Sequence, residues 1–175
     1  MDNHPQSKQN PEKQVLDDNA RKFTCGLVDL FRLSTEVTRF VLVTDWLETG
    51  EDNEKKLAYK RFDNGDVQIL LITKITNDGK RTTEKQKITA EEYNDLLTSS
   101  ALRIEKIRQE FVYEQQGTKF SLKYDDFGVD KPKVLEVDAP ADQDRESFDP
   151  VAFPGELKEV TEDMSYYGYR VAQHI

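Results

Sequence analysis

The stretch KKLAYKRFDNGDVQILLITKITNDGK, Lys55 to Lys80, decides the fold. Leu57, Tyr59 and Arg61 alternate with Lys56, Ala58 and Lys60, a period of two that suits a strand with two unlike faces. Asp63-Asn64-Gly65-Asp66 follows. Asn-Gly between β-prone runs marks a hairpin, because both residues accept the positive φ of a tight reversal. Val67 to Ile75 is the returning strand, and Asn77-Asp78-Gly79 turns the chain again into Lys80 to Ile88. Two tight turns in one stretch dictate antiparallel pairing.

The same texture continues outward. Upstream, Glu36 to Leu47 carries Val37, Phe40, Val41, Leu42, Val43 and Trp46, all β-prone, and Arg21 to Leu30 has room for a further strand. Downstream, Thr89-Ala90-Glu91-Glu92 is a capping box that opens a helix, with Tyr93, Leu96 and Leu97 as its core-facing stripe. In Glu105 to Glu114, Ile107, Phe111 and Tyr113 share one face, and Lys106, Arg108 and Glu110 the other. After a turn at Gln115 to Thr118, Phe120, Leu122 and Tyr124 oppose Lys119, Ser121, Lys123 and Asp125. In Lys133 to Asp138, Glu136 and Asp138 oppose Leu135 and Val137. The expectation is a mainly β (α+β) chain: an eight-stranded antiparallel barrel with one inserted helix, wide enough for side chains or one small ligand. Residues 1–16 are polar and read as a disordered lead-in, leaving 17–175 as one domain.

Composition narrows the partners. The 175 residues carry a formal net charge of -9, which disfavours DNA and anionic membrane as partners. No run approaches the roughly 18 apolar residues of a membrane span, and the N-terminus lacks a secretory pattern, so a cytoplasmic protein is expected. Cys25 is the one cysteine and His4 and His174 lie at the ends, so neither a CxxC metal site nor a histidine triad is available. Oligomeric state is not legible.

The charged strand faces admit two readings. They are solvated in a sandwich, or they line one lumen. A lumen holding Lys and Arg beside carboxylates has a chemical use, since guanidinium and ammonium groups match phosphate oxygens and carboxylates hold Mg²⁺ or Mn²⁺.

Several pieces together resemble the CYTH superfamily, the triphosphate tunnel metalloenzymes, which include thiamine and inorganic triphosphatases, RNA triphosphatases and a class of adenylyl cyclases. Lys106-Ile107-Arg108 is similar to its KxR strand. Leu135-Glu136-Val137-Asp138 is similar to its EvE strand, and Phe153-Pro154-Gly155 through Glu159-Val160-Thr161-Glu162-Asp163 to Tyr166 is similar to its ending. The resemblance implies a CYTH-like tunnel barrel in which Lys106 and Arg108 grip phosphate, with Lys22, Lys56, Lys60 and Lys74 as further contacts. It implies Asp18, Glu136, Asp138 and Glu159 as ligands of Mg²⁺ or Mn²⁺, and a partner bearing an inorganic, thiamine or nucleoside triphosphate.

This sequence also departs from the pattern. Asp18-Asn19-Ala20-Arg21-Lys22 stands where the family has ExExK, so Ala20 replaces a carboxylate. Lys56-Leu57-Ala58 lacks one cation of an RxR strand, and Thr83-Glu84-Lys85-Gln86 keeps at most one carboxylate of an ExE strand. Lys123 falls where an aspartate is expected, unless Asp125 substitutes. A metal-dependent triphosphate hydrolase and a catalytically degenerate polyphosphate-binding module therefore both stay open. A purely structural barrel would instead line its lumen with Phe111, Phe120 and Tyr124.

Overall fold

A computed structural model describes residues 14–17, 20–166 and 168–173. In chain order the elements are β1 (Gln14–Asp17), β2 (Arg21–Cys25), β3 (Val37–Thr49), β4 (Asn53–Phe62), β5 (Val67–Asn77), β6 (Lys80–Lys87), α1 (Ala90–Leu97), β7 (Leu102–Gln115), β8 (Thr118–Asp126), β9 (Lys133–Asp138), β10 (Leu157–Glu159) and α2 (Gly168–Gln173).

The strands form one antiparallel sheet in the order β1-β6-β5-β4-β3-β7-β8-β9-β2-β10. Tight turns make this order possible. Asp78 (φ 52°) and Gly79 (φ 75°) are the two central residues between β5 and β6, both in the positive-φ region that suits the twist of a hairpin. Gln116 (φ 50°) and Gly117 (φ 79°) do the same between β7 and β8.

One connection governs the shape. β1 pairs with β6 near one end of the sheet, and β2 pairs with β9 near the other. Asp17 and Arg21 are four links apart in the chain, which spans about 14 Å at most. The sheet must therefore curl until its two flanks nearly meet, and it becomes a barrel-like tunnel.

Ten strands stand where eight were expected. Gln14–Asp17 and Leu157–Glu159 are the short ones, four and three residues, too brief to show a period. β1 also reaches back into the segment read as a disordered lead-in, of which residues 1–13 lie outside the described residues. The fold class stands as read: a mainly β, antiparallel tunnel.

Alternation along each strand separates two interiors. The outer face of β2, β7, β8 and β9 carries Phe23, Phe111, Phe120, Leu122, Leu135 and Val137, a core roofed by Leu30, Phe148 and Phe153. Phe148 is central to it, with ring contacts to Phe23 at 5.7 Å, Phe120 at 5.3 Å and Phe153 at 6.1 Å. The inner face is the tunnel.

The capping box at Thr89 is present, with Glu92 N–H donating to Thr89 Oγ1 at 3.1 Å. The α1 stripe, however, is only half-buried, and the helix has no fully buried residue. A polar contact docks it: the Tyr93 hydroxyl donates to Asp45 at 3.0 Å, and Arg103 grips the same carboxylate at 2.7 and 3.1 Å. α2 packs near the end of the tunnel, with Val171 against Trp46 and Ile104.

Phe148→Ala removes the centre of the outer core without touching the tunnel wall. Urea unfolding is expected to show a loss of about 3–5 kcal/mol; a loss below about 1 kcal/mol would mean that the covering segment adds little to the fold.

Candidate functional site

The inner residues of β3 to β9, with Lys22 of β2, face one cavity of about 770 Å³. Among the described residues nine cations line it. They are Lys22 from β2, Lys56 and Lys60 from β4, Lys74 from β5, Arg81 and Lys85 from β6, Lys106 and Arg108 from β7, and Lys123 from β8. Five carboxylates among the described residues face the same space: Glu54, Glu110, Asp125, Glu136 and Asp138. The chain is acidic overall, yet its interior is basic. The rest of the wall on β3 to β5 is apolar apart from Thr44, with Leu42, Trp46, Ala58, Leu70 and Ile72.

Register brings these charges side by side. Glu110, Lys123, Glu136 and Lys22 sit directly opposite one another across β7, β8, β9 and β2, so charge alternates along the row. In the next row Arg108 faces Asp125. Arg108 donates from Nε and Nη2 to both Asp125 oxygens at 2.6 and 2.7 Å, and Lys106 Nζ adds a third bond at 2.6 Å. Lys123 Nζ reaches Glu136 at 3.1 Å and Asp138 at 2.6 Å. Glu54, on β4, holds Lys56 at 2.5 Å and Arg81 at 3.4 Å. Lys60 and Lys85 have no carboxylate at ion-pair distance among the described residues, and Lys60 rests over the Phe40 ring at 4.8 Å.

The electrostatics follow from this crowding. Burial, then the Lys74 charge, pushes Lys56 down to about 8. Burial, then Arg108, pushes Lys106 down to about 8. Lys60 and Lys85 are also lowered, by burial first and in part by neighbouring cations. Burial works against the charge on Asp125 and Glu136, but the surrounding cations outweigh it and both carboxyls fall below their ordinary range. A polyanion entering this space would relieve repulsion among cations already held in place.

The sequence-based candidates divide on this geometry. Lys22, Lys56, Lys60, Lys74, Lys106 and Arg108 all line the cavity, as do Glu136 and Asp138. Asp18 lies outside the described residues. Glu159 lies apart from the cavity: it sits on β10 and binds Arg21 on the outer side of β2, at 2.9 and 2.8 Å. Arg21 also donates to the Phe148 carbonyl at 2.8 Å, so Glu159 is a strut of the outer core. Its contact with Arg21 pulls its pKa down to about 2.

Arg81, Lys85, Lys123, Glu54 and Glu110 were not among the candidates, and Asp125 entered only as a possible substitute for an expected aspartate. An available signal was the i, i+2 spacing of Arg81, Thr83 and Lys85 and of Lys123 and Asp125. The surviving Glu84 falls on the opposite strand face from these. Phe111, Phe120 and Tyr124 pack in the outer core, which removes the lumen that a purely structural barrel would need.

The described residues do not assemble a protein-held divalent site. Four of the five cavity carboxylates are bound by Lys or Arg, and among the described residues no group of three carboxylate, His or Cys donors converges.

Two crystal structures of NE1496 superpose on this chain. One, described as an inorganic triphosphatase, aligns with a TM-score of 0.57 and 21% identity over 90% of this chain and 99% of that one. The other, described as a hypothetical protein, gives 0.55 and 20%, over 90% and 97%. The chain has a CYTH-type fold. No protein-family model and no curated protein sequence matches it. Among the described residues no helix is long and apolar enough to cross a membrane.

Two consequences are measurable. Lys56 and Lys106 attract an anion only when protonated, and each loses its proton near pH 8 in the free protein. Affinity for tripolyphosphate should hold up to about pH 7.5, then fall roughly tenfold or more by pH 9.5. Loss of the ligand's own last proton adds negative charge, which strengthens its attraction to the cations, so it does not cause the fall. Calorimetric titration across this range checks it, and a flat profile would contradict it. Glu159→Gln should leave that affinity unchanged but remove stability that the native chain has above the ordinary glutamate pKa and loses as pH falls toward 2. Acid unfolding of the two chains decides.

Proposed function

We propose that the tunnel binds the triphosphate group of a small molecule: inorganic triphosphate, or the triphosphate of thiamine or of a nucleoside. The observation that carries this reading is the cavity wall, with nine Lys and Arg side chains against five carboxylates in a chain of net charge -9. Such a concentration of buried cations is costly unless an anion completes it. A cavity of about 770 Å³ suits a small ligand. Guanidinium and ammonium groups converging from several strands match the many oxygens of a linked phosphate chain. Lys60 and Lys85 have the greatest freedom to turn to the ligand, because among the described residues no carboxylate lies at ion-pair distance from them.

A second reading is hydrolysis of the bound group with Mg²⁺ or Mn²⁺. The fold shared with the inorganic triphosphatase NE1496 favours it. The carboxylates as they stand give no metal-held step to describe, and catalysis by this wall would rest on positioning and on neutralising phosphate charge.

Titration of tripolyphosphate into the chain with EDTA present tests the first reading. Binding should weaken as salt rises, and Lys60→Ala and Lys85→Ala should each lower affinity by roughly 10- to 100-fold, the worth of one charge-assisted hydrogen bond. No binding with EDTA, Mg²⁺ or Mn²⁺ would refute it. Phosphate release that needs Mg²⁺ or Mn²⁺ and stops with EDTA would establish the second reading.

A further inference from the structure

Between the Glu136 and Asp138 carboxylates, where a divalent ion would have to sit, stands an ammonium group. Lys123 Nζ lies 3.1 Å from Glu136 Oε1 and 2.6 Å from Asp138 Oδ2. We infer that Lys123 serves as a permanent internal cation in place of a divalent metal, so that this tunnel takes up a triphosphate without any metal ion. The ligand part of this inference rests on the proposed triphosphate site; the metal part does not.

Three observations lead there. The first is register. Lys123 is opposite Glu110 on one side and Glu136 on the other, and Asp138 follows two residues along β9 on the same face. The pleat therefore delivers the ammonium among the carboxylates by backbone pairing, and a rotamer change alone does not carry its Cα away.

The second is the field around the carboxylates. Glu136 is acted on by Lys123, Lys22, Arg108 and Lys74 together. A doubly charged ion placed beside Glu136 would meet four positive groups at short range in a poorly screened interior. Mg²⁺ also demands near-octahedral oxygens at about 2.1 Å, from ligands free to converge. Of the three remaining cavity carboxylates, Asp125 is held by Arg108 and Lys106 and Glu54 by Lys56 and Arg81; Glu110, across Lys123 from Glu136, is the one with no ion pair among the described residues, and a single carboxylate does not complete such a set.

The third is charge balance. A metal in a phosphate site neutralises oxygens that the protein leaves uncovered. Among the described residues this wall carries four more cations than carboxylates, nine against five. Lys123, two of whose three N–H groups go to Glu136 and Asp138, keeps the third for the cavity and can donate it to a phosphate oxygen.

Manganese titration of the full chain, followed by electron paramagnetic resonance with no phosphate present, reads the metal part directly. The native chain is expected to leave the free-ion signal unchanged, and Lys123→Asp to take up one Mn²⁺ per chain. Calorimetric titration of tripolyphosphate in EDTA reads the ligand part, where Lys123→Met should bind at least about tenfold more weakly than the native chain. Stoichiometric Mn²⁺ uptake by the native chain would overturn the inference, even if Lys123→Asp failed to fold. So would undiminished binding by a folded Lys123→Met. If tripolyphosphate binds neither chain, the triphosphate reading falls, and the manganese titration of the native chain still decides the role of Lys123.

Discussion

A charge that points into a closed sheet has to be answered by another charge, because the interior offers little water to solvate it. That constraint organises this molecule. Among the described residues fourteen charged side chains face the tunnel, and the strand register sets them so that acid and base meet across neighbouring strands. The pairing is incomplete by design of the pattern: cations outnumber carboxylates, and the excess is what an anionic ligand would complete. Structure and proposed function thus draw on the same imbalance. The ion pairs that let the sheet close hold their lysines and arginines in position before any ligand arrives, which lowers the ordering cost of binding.

Much of this was legible in the sequence, and the reason is the pleat. A strand has a period of two, so Lys106 and Arg108, or Glu136 and Asp138, announce a shared face wherever they occur. Hairpin turns at Asn64-Gly65 and Asp78-Gly79 then fix which strands are neighbours. What the pattern could not convey was which of two faces is the interior when both are covered. β8 carries Phe120, Leu122 and Tyr124 on one face and Lys123 and Asp125 on the other, and both faces are buried. Hydrophobicity alone would have made the aromatic face the lumen.

Glu159 shows the opposite failure. Its place in a short motif suggested a metal ligand, but a motif does not say on which side of the sheet its strand will lie. β10 has three residues and pairs only with β2. That pairing aims the Glu159 side chain at Arg21 on the outer face. The same glutamate that would help hold an ion inside a tunnel here pins the covering segment to the barrel. Lys85 and Arg81 were overlooked for a related reason: β6 reads as a uniformly polar strand, KRTTEKQK, and its inward side is revealed only by its partners.

Trp46 is the chain's one tryptophan. It is buried, it lines the tunnel, its Nε1 has no hydrogen-bond partner among the described residues, and Lys56 Nζ stands 5.7 Å from its ring. Gly168 of α2 leaves no space beside it: a Cβ there would lie 3.0 Å from the indole. Light emitted by this protein's indole therefore originates at a single known point in the interior, next to a cation and under the terminal helix. The molecule carries its own optical gauge of what enters the tunnel and of whether α2 is seated, with no label attached.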